Sequence, residues 1–155
     1  PASSGGPRGE CAVSDTAAVS ESDLAILNAF HGHVGPYVVA GLRCGRFAVN
    51  RLQAQAHFGI EVVVRCPGAP PPSCFIDGIQ ISTGCTMGKM NIRHELSDDI
   101  VARFRNKRSG ETLNLRLRPE PVARAVEIMQ QQDDRAGAEV ILSFTDQELL
   151  EEMPH

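Results

Sequence analysis

The chain has 155 residues, 42% of them hydrophobic, 22% charged and 5% aromatic, with no Trp and a net charge of −4. That length supports one domain with a real core, built mainly from Val, Ile, Leu and Ala. The acidic balance argues against general nucleic-acid binding, which needs a cationic surface, and no apolar run approaches the roughly 20 residues that span a bilayer.

Residues 1–20, "PASSGGPRGECAVSDTAAVS", are rich in Ser, Gly, Ala and Pro and lack periodicity. They read as a flexible arm ahead of a single domain over 21–155. Ser22 is expected to cap a short helix carrying Leu24, Ile26, Leu27 and Phe30. From Pro36 to about Ala56 the pattern is helical, with Pro in the first turn. Val38, Val39, Leu42, Val49, Leu52 and Ala56 form its apolar stripe. Beside it run Gly41, Gly45 and Ala48, a strip of small residues where another element, or a second copy of the chain, can approach closely. Cys44 borders the strip and reads as a buried small hydrophobe.

Glu61 to Arg65, "EVVVR", reads as a buried strand, and the proline-rich loop "CPGAPPPSC" then breaks regular structure. "SCFIDGIQISTG" looks like a short helix capped by Ser73 and ended by Gly84. "DDIVARFRN" and "TLNLRLR" alternate apolar and polar residues and, joined by "KRSGE", predict an antiparallel hairpin. Seven of the 15 Lys and Arg residues fall between Arg93 and Arg118, with Phe104 alone as an interleaved aromatic. That reads as a solvated face and not a nucleic-acid platform. "PEPVARAVEIMQQQ" is a helix, "AEVILSF" a further strand or extended segment, and Thr145 with Glu148 a capping box for a C-terminal helix through Leu149 and Leu150. Helices followed by a hairpin, without steady β-α alternation, predict an α+β fold with the long helix packed on a mostly antiparallel sheet.

Five cysteines make an odd set without a dense disulfide pattern. This favours reduced thiols and a cytoplasmic location, with some thiols bound to metal. An oxidised Cys66–Cys74 or Cys74–Cys85 pair stays open, and Cys11, alone in the arm, reads as incidental. The stretch from Pro72 to Asn91 holds Cys74, Asp77, Cys85, Thr86 and Lys89. In the first turn of a helix, free backbone N–H groups and the dipole would favour a Cys74 thiolate. His31 and His33 supply two imidazoles, and Cys74 and Cys85 could supply two thiolates. Such a nitrogen and sulfur set suits Zn²⁺, with Fe²⁺ or Ni²⁺ as alternatives. The spacing matches no zinc ribbon, and a plainer reading stays open: histidines that cap a helix start and cysteines that fill the core. Lys89 could hold an anionic group or tune a thiolate, or be a surface lysine. Thr86 either donates into a pocket or shapes a turn. Cys66 reads as a third thiol or a structural one, His57 and His94 as surface or interface residues.

"FHGHVGPYVVAGLRCG", Phe30 to Gly45, joined to "CFIDGIQISTGCTMGKMN", Cys74 to Asn91, resembles the FmdE family, named for its link to formylmethanofuran dehydrogenase. That family pairs a Phe-His-Gly-His-x-Gly-Pro segment with a Cys-x-x-Asp-Gly-Ile-Gln-x-x-Thr-Gly-Cys-Thr-x-Gly-Lys segment. The resemblance covers Leu24 to Asn91 closely and the rest in outline. It implies an α+β core that forms a homodimer, with His31 and His33 meeting Cys74 and Cys85 at a metal-binding pocket. Catalytic roles are expected of Cys74, Asp77, Cys85 and Lys89, and ligand contacts of Tyr37 and Thr86. Tyr37 and Met90 stand where the family pattern commonly has Gly, which bears on the substrate more than on the metal. Some members add a C-terminal zinc finger; no cysteine follows Cys85, so none is expected here.

The function expected on this basis is a metal-dependent or redox reaction on a small molecule. A metal with an open position would polarise a substrate or activate water, or a cysteine would act as nucleophile with a histidine as base. The rivals are a non-catalytic accessory or metal-carrying protein for a larger enzyme partner, and a thiol protein cycling a Cys74–Cys85 disulfide.

Overall fold

Ser20, two residues ahead of the expected cap, starts the first helix, α1 (Glu21–His31). Its hydroxyl accepts from the Asp23 N–H while the Asp23 carboxylate accepts from the Ser20 N–H, closing a capping box. The computed structural model describes residues 18–155. Cys11 and most of the arm expected over 1–20 lie outside the described residues. Gly32, at φ 96°, ends α1 in the left-handed conformation that glycine adopts without strain. The chain turns there, and Gly35 and Pro36 open α2.

α2 (Pro36–Arg51) ends before the expected Ala56. It is buried nearly all round over its first ten residues, with Val39, Ala40 and Cys44 fully covered, as is Ala48 further on. A helix apolar on all sides belongs in the middle of a fold. Its closest neighbour is α3 (Cys74–Thr83), not the sheet. The two helices approach through glycines: a Cβ on Gly41 would run into the Phe75 carbonyl, and one on Gly78 into the Val38 carbonyl. Gly45 likewise faces the Ser82 side chain. The small-residue strip is therefore occupied within the chain and is not open to a second copy.

Five strands form one sheet: β1 (Ile60–Cys66), β2 (Ile92–Leu96), β3 (Val101–Asn106), β4 (Thr112–Leu117) and β5 (Leu150–Met153), in the order β2-β1-β3-β4-β5. The β1–β2 pair is parallel and every other pair antiparallel. The register sets Val62 opposite Phe104 and Phe104 opposite Leu113, so the buried alternate residues share one face. Glu61, Arg103 and Arg105 point the other way, as expected of an antiparallel sheet with one solvated side. The β3–β4 hairpin and the α+β class match the sequence.

Three elements differ from expectation. "AEVILSF" belongs to a helix, α5 (Asp134–Ser143), whose N-cap Asp133 accepts from the Ala136 N–H. β2 and β5 are strands that the sequence pattern does not announce; β5 follows directly on the short α6 (Asp146–Leu149), which the Thr145–Glu148 capping box does open. α4 (Pro119–Gln131) packs against α5, and α5 packs against α2. Buried Arg43 locks this side, bonding to Asp146 at 3.0 Å and to the carbonyls of Ile141 and Phe144. No described helix is long and apolar enough to cross a membrane.

Candidate metal centre

Two helix ends meet at His31. It is the last residue of α1, and Gly32 swings the chain so that His33 follows on the same side, the two rings 4.6 Å apart between centroids. α3 arrives with Cys74 as its first residue and Asp77 one turn on. One ligand atom from each of His31, His33 and Cys74 lies within 4.8 Å of the others. Ligands around a tetrahedral zinc sit roughly 3.3–3.8 Å apart, given metal–ligand bonds of about 2.0–2.3 Å. The group lies close to that spacing, with an upper limit about one ångström wider.

A hydrogen bond selects the nitrogen of His31. His31 Nδ1 lies 2.5 Å from Asp77 Oδ2, so it carries the proton and donates to the carboxylate. In the neutral ring Nε2 then carries the lone pair, and it is buried and without any hydrogen-bond partner. A buried polar atom left unpaired is costly, and a metal ion is the partner its neighbours would supply. His33 has a looser counterpart in the open: its Nδ1 lies 3.2 Å from Asp134 Oδ2, an ion-pair distance without hydrogen-bond geometry. The carboxylate behind His31 favours one tautomer and ring orientation, as outer partners of metal ligands commonly do.

Cys74 departs from the expected thiolate. Burial pushes its thiol up, the Asp77 carboxylate adds to that, and a backbone hydrogen bond works the other way and is outweighed; Asp134 reinforces the rise. With no cation present the thiol keeps its proton, and a bound metal would be what deprotonates it. Tyr37, on the first turn of α2, is half-buried nearby, and burial together with the Cys74 charge raises its phenol. A cavity of 260 Å³ opens here, lined by His33, Tyr37, Cys74, Met129 and Asp134 with Pro70 and Pro71 of the proline loop.

Cys85, Thr86 and Lys89 are not brought to this place. α3 is 10 residues long, about 15 Å at 1.5 Å per residue, and Cys74 begins it while Cys85 lies beyond its end. Cys85 is fully buried, its thiol directed at the Ile60 carbonyl 3.4 Å away. Thr86 caps a short 3₁₀ turn, accepting from the Lys89 N–H, and its own N–H donates to Asn91. Lys89 Nζ donates back to Thr86 and sits 5.7 Å from the Phe58 ring. These residues shape a turn. The described cysteines Cys44, Cys66, Cys74 and Cys85 are all free thiols, so neither Cys66–Cys74 nor Cys74–Cys85 is bridged. His57 and His94 are exposed, and Cys66 is buried at the end of β1.

Asp134 and Met129 join the site without any motif to mark them. For Asp134 the one available signal is its place beside the N-cap of α5, a helix the apolar run hides.

The family model described as "FmdE, Molybdenum formylmethanofuran dehydrogenase operon" matches residues 30–151. The chain is 35% identical over 69 residues to a probable S-adenosyl-L-methionine-binding protein of Archaeoglobus fulgidus, a match covering 41% of this chain and 18% of that relative. The chain thus spans less than a fifth of that relative's length. The crystal structure of a tungsten formylmethanofuran dehydrogenase FmdE-like protein from Syntrophus aciditrophicus superposes with a TM-score of 0.62 at 21% identity, covering 87% of this chain and 72% of that one. That likeness shows the shared fold. With a family match over most of its length, including both histidines and Cys74, the chain belongs to the FmdE family.

Proposed function

We propose that the protein binds one divalent transition metal, Zn²⁺ for preference, through His31 Nε2, a ring nitrogen of His33 and Cys74 Sγ, and acts there on a small molecule. The observation that carries this is His31 Nε2, buried and unpartnered while Asp77 holds the opposite nitrogen. Two imidazoles and a thiolate suit zinc, and Fe²⁺ or Ni²⁺ are the other ions this set would take. Three protein ligands leave one position for water or substrate, where the metal would act as a Lewis acid. The 260 Å³ cavity gives that position access. Asp77 orients the His31 imidazole, and Cys74 serves as ligand in preference to nucleophile, because its unmetallated thiol stays protonated. The accessory or metal-carrying reading shares this centre and differs only in lacking a substrate.

The homodimer also stands as a proposal, as does a cytoplasmic setting. Since Gly41 and Gly45 are buried against α3, a dimer would use another surface. Phe58, Met87 and Met90 are exposed together near the Thr86–Lys89 turn and offer one. Light scattering at micromolar concentration decides between monomer and dimer.

Elemental analysis of protein purified without added metal tests the centre. The expected result is near-stoichiometric metal in the parent and in Cys85→Ser, with a sharp loss in His33→Ala and Cys74→Ser. Full metal content in both of the last two variants would refute the assignment.

A further inference from the structure

We propose that the cavity beside His33 and Cys74 continues into a neighbouring apolar groove, and that together they hold an elongated small molecule with an apolar body and a positively charged, amine-type end. The proposal rests on the metal-centre reading only for which end of the molecule reacts. The groove has a volume of 470 Å³ and lies between α4 and the proline loop. Tyr37 lines both spaces, and their walls run on along the chain, from Pro71 to Pro72 on the loop and from Met129 to Gln130 on α4. Ligand sites for organic molecules typically occupy about 300–1,000 Å³. The cavity alone falls short of that range, and the two spaces joined fall within it.

The lining sets the chemistry. Ile100, Leu117, Val122 and Val126 make the groove floor apolar, so covering it with a hydrocarbon or aromatic body is favourable. Neither space has a Lys or Arg in its lining, whereas Asp98, Asp99 and Glu127 line the groove and Asp134 the cavity. Asp134 faces His33 at 3.2 Å and Asp99 faces Arg116 at 3.4 Å. Asp98 and Glu127 form no ion pair among the described residues. Both line the groove and not the cavity, so the uncompensated negative charge stands away from the metal ligands. An ammonium there gains; a carboxylate or phosphate is repelled. The independent sign that the other end is a ligand site is that His33 and Cys74 line the cavity, two members of the candidate metal group whose third, His31, has a buried Nε2 without a hydrogen-bond partner.

The test uses zinc-loaded protein of measured metal content and two probes that share a body and differ in end charge, tryptamine and indole-3-propionate, titrated by calorimetry. Tryptamine is expected to bind about tenfold more tightly, the scale of one favourable against one unfavourable charge contact. Asp98→Asn combined with Glu127→Gln should abolish that preference without changing zinc content, and Val126→Trp should weaken both probes by filling the groove. Equal or tighter binding of the carboxylate, a preference unchanged in the double variant, or no binding of either probe at millimolar concentration would each overturn the proposal. A parent protein that takes up no zinc would instead refute the metal centre. The charge preference, read on that same protein, would still decide the proposal.

Discussion

Asp77 Oδ2 lies 2.5 Å from His31 Nδ1, and this contact decides which nitrogen of the histidine is left to bind anything else. The carboxylate accepts the hydrogen bond from Nδ1–H, which favours the tautomer that leaves Nε2 available, and a ligand atom of His31 lies within 4.8 Å of one from His33 and one from Cys74. Asp77 comes from α3 and His31 from α1, so one hydrogen bond also sets the two helix ends against each other. On the proposed metal reading, Asp77, expected to be catalytic, orients His31.

Replacing Asp77 with Asn should therefore leave the ligands in place and lose their alignment. The expected outcome is a fall in metal affinity of about 10–100-fold, measured by competition with a chromogenic chelator. A smaller fall is expected for Asp134→Asn, since His33 is half-exposed and its ring is less firmly held. If Asp77→Asn binds metal as tightly as the parent, the orientation argument is wrong.

What the sequence discloses of this site, and what it does not, turns on α3. The helix is readable from Ser73 to Gly84, although Ser73 sits at the N-cap without the expected side-chain capping bond, and at 1.5 Å per residue it already separates Cys74 from Cys85 by about 15 Å. Pairing the two cysteines as ligands follows their nearness in sequence and overlooks the rise of the helix between them. His31 and His33 are legible because Gly32 can end one helix in the left-handed conformation and Pro36 can open the next, which leaves both histidines in the short connection. α5 is hidden because Val140, Ile141 and Leu142 form a short apolar run that periodicity cannot assign to strand or helix. Its cap at Asp133 decides the matter. β2 carries no strand signal, as only Ile92 among its five residues is buried.

The glycine contact between α2 and α3 predicts a stability effect. Gly41→Ala and Gly78→Ala would each place a methyl group against a backbone carbonyl, which cannot swing aside as a side chain can. Overpacking of this kind costs about 1–3 kcal/mol and should outweigh the gain of nearly 1 kcal/mol in helix propensity. Both variants should unfold at lower denaturant concentration than the parent. An unchanged midpoint would mean the helices can part without loss. Gly45→Leu, which meets Ser82 within the same chain, would report on folding and not on assembly.

Asp23 predicts a pH dependence. It accepts two hydrogen bonds from Arg46, at 2.9 and 2.5 Å, and the bond to that guanidinium holds its carboxyl well below the ordinary 3.8. A carboxyl depressed in the folded state contributes stability at pH values above its unfolded pKa and loses that contribution as the pH falls through the acid range below it. Asp23→Asn should thus be less stable at neutral pH by about 1 kcal/mol, the upper end for an ion pair near the surface because this one is bidentate. The gap should narrow as the pH is taken below 3.8. A gap of constant size from pH 7 to pH 3, followed by chemical denaturation, would assign the effect to helix capping alone.

The cysteines offer the sharpest separation between the metal centre and the rest of the fold. Cys44 is fully buried and its thiol is raised above the range in which thiolate forms in ordinary buffers; burial likewise pushes Cys66 up to about 11. Cys85 is fully buried as well, at the far end of α3. Among the described cysteines, only Cys74 is both partly accessible and within reach of the two histidines. In metal-loaded protein its sulfur would be a shielded ligand, so alkylation should be slow at all four positions. Adding chelator should release Cys74 alone, with faster labelling at higher pH because the freed thiol must first lose its proton. Reductant should add nothing, as no described cysteine is bridged. Mass spectrometry of the alkylated peptides reads each position separately. Release of Cys85 together with Cys74 on chelation would return Cys85 to the ligand set and place the centre elsewhere than the structure puts it.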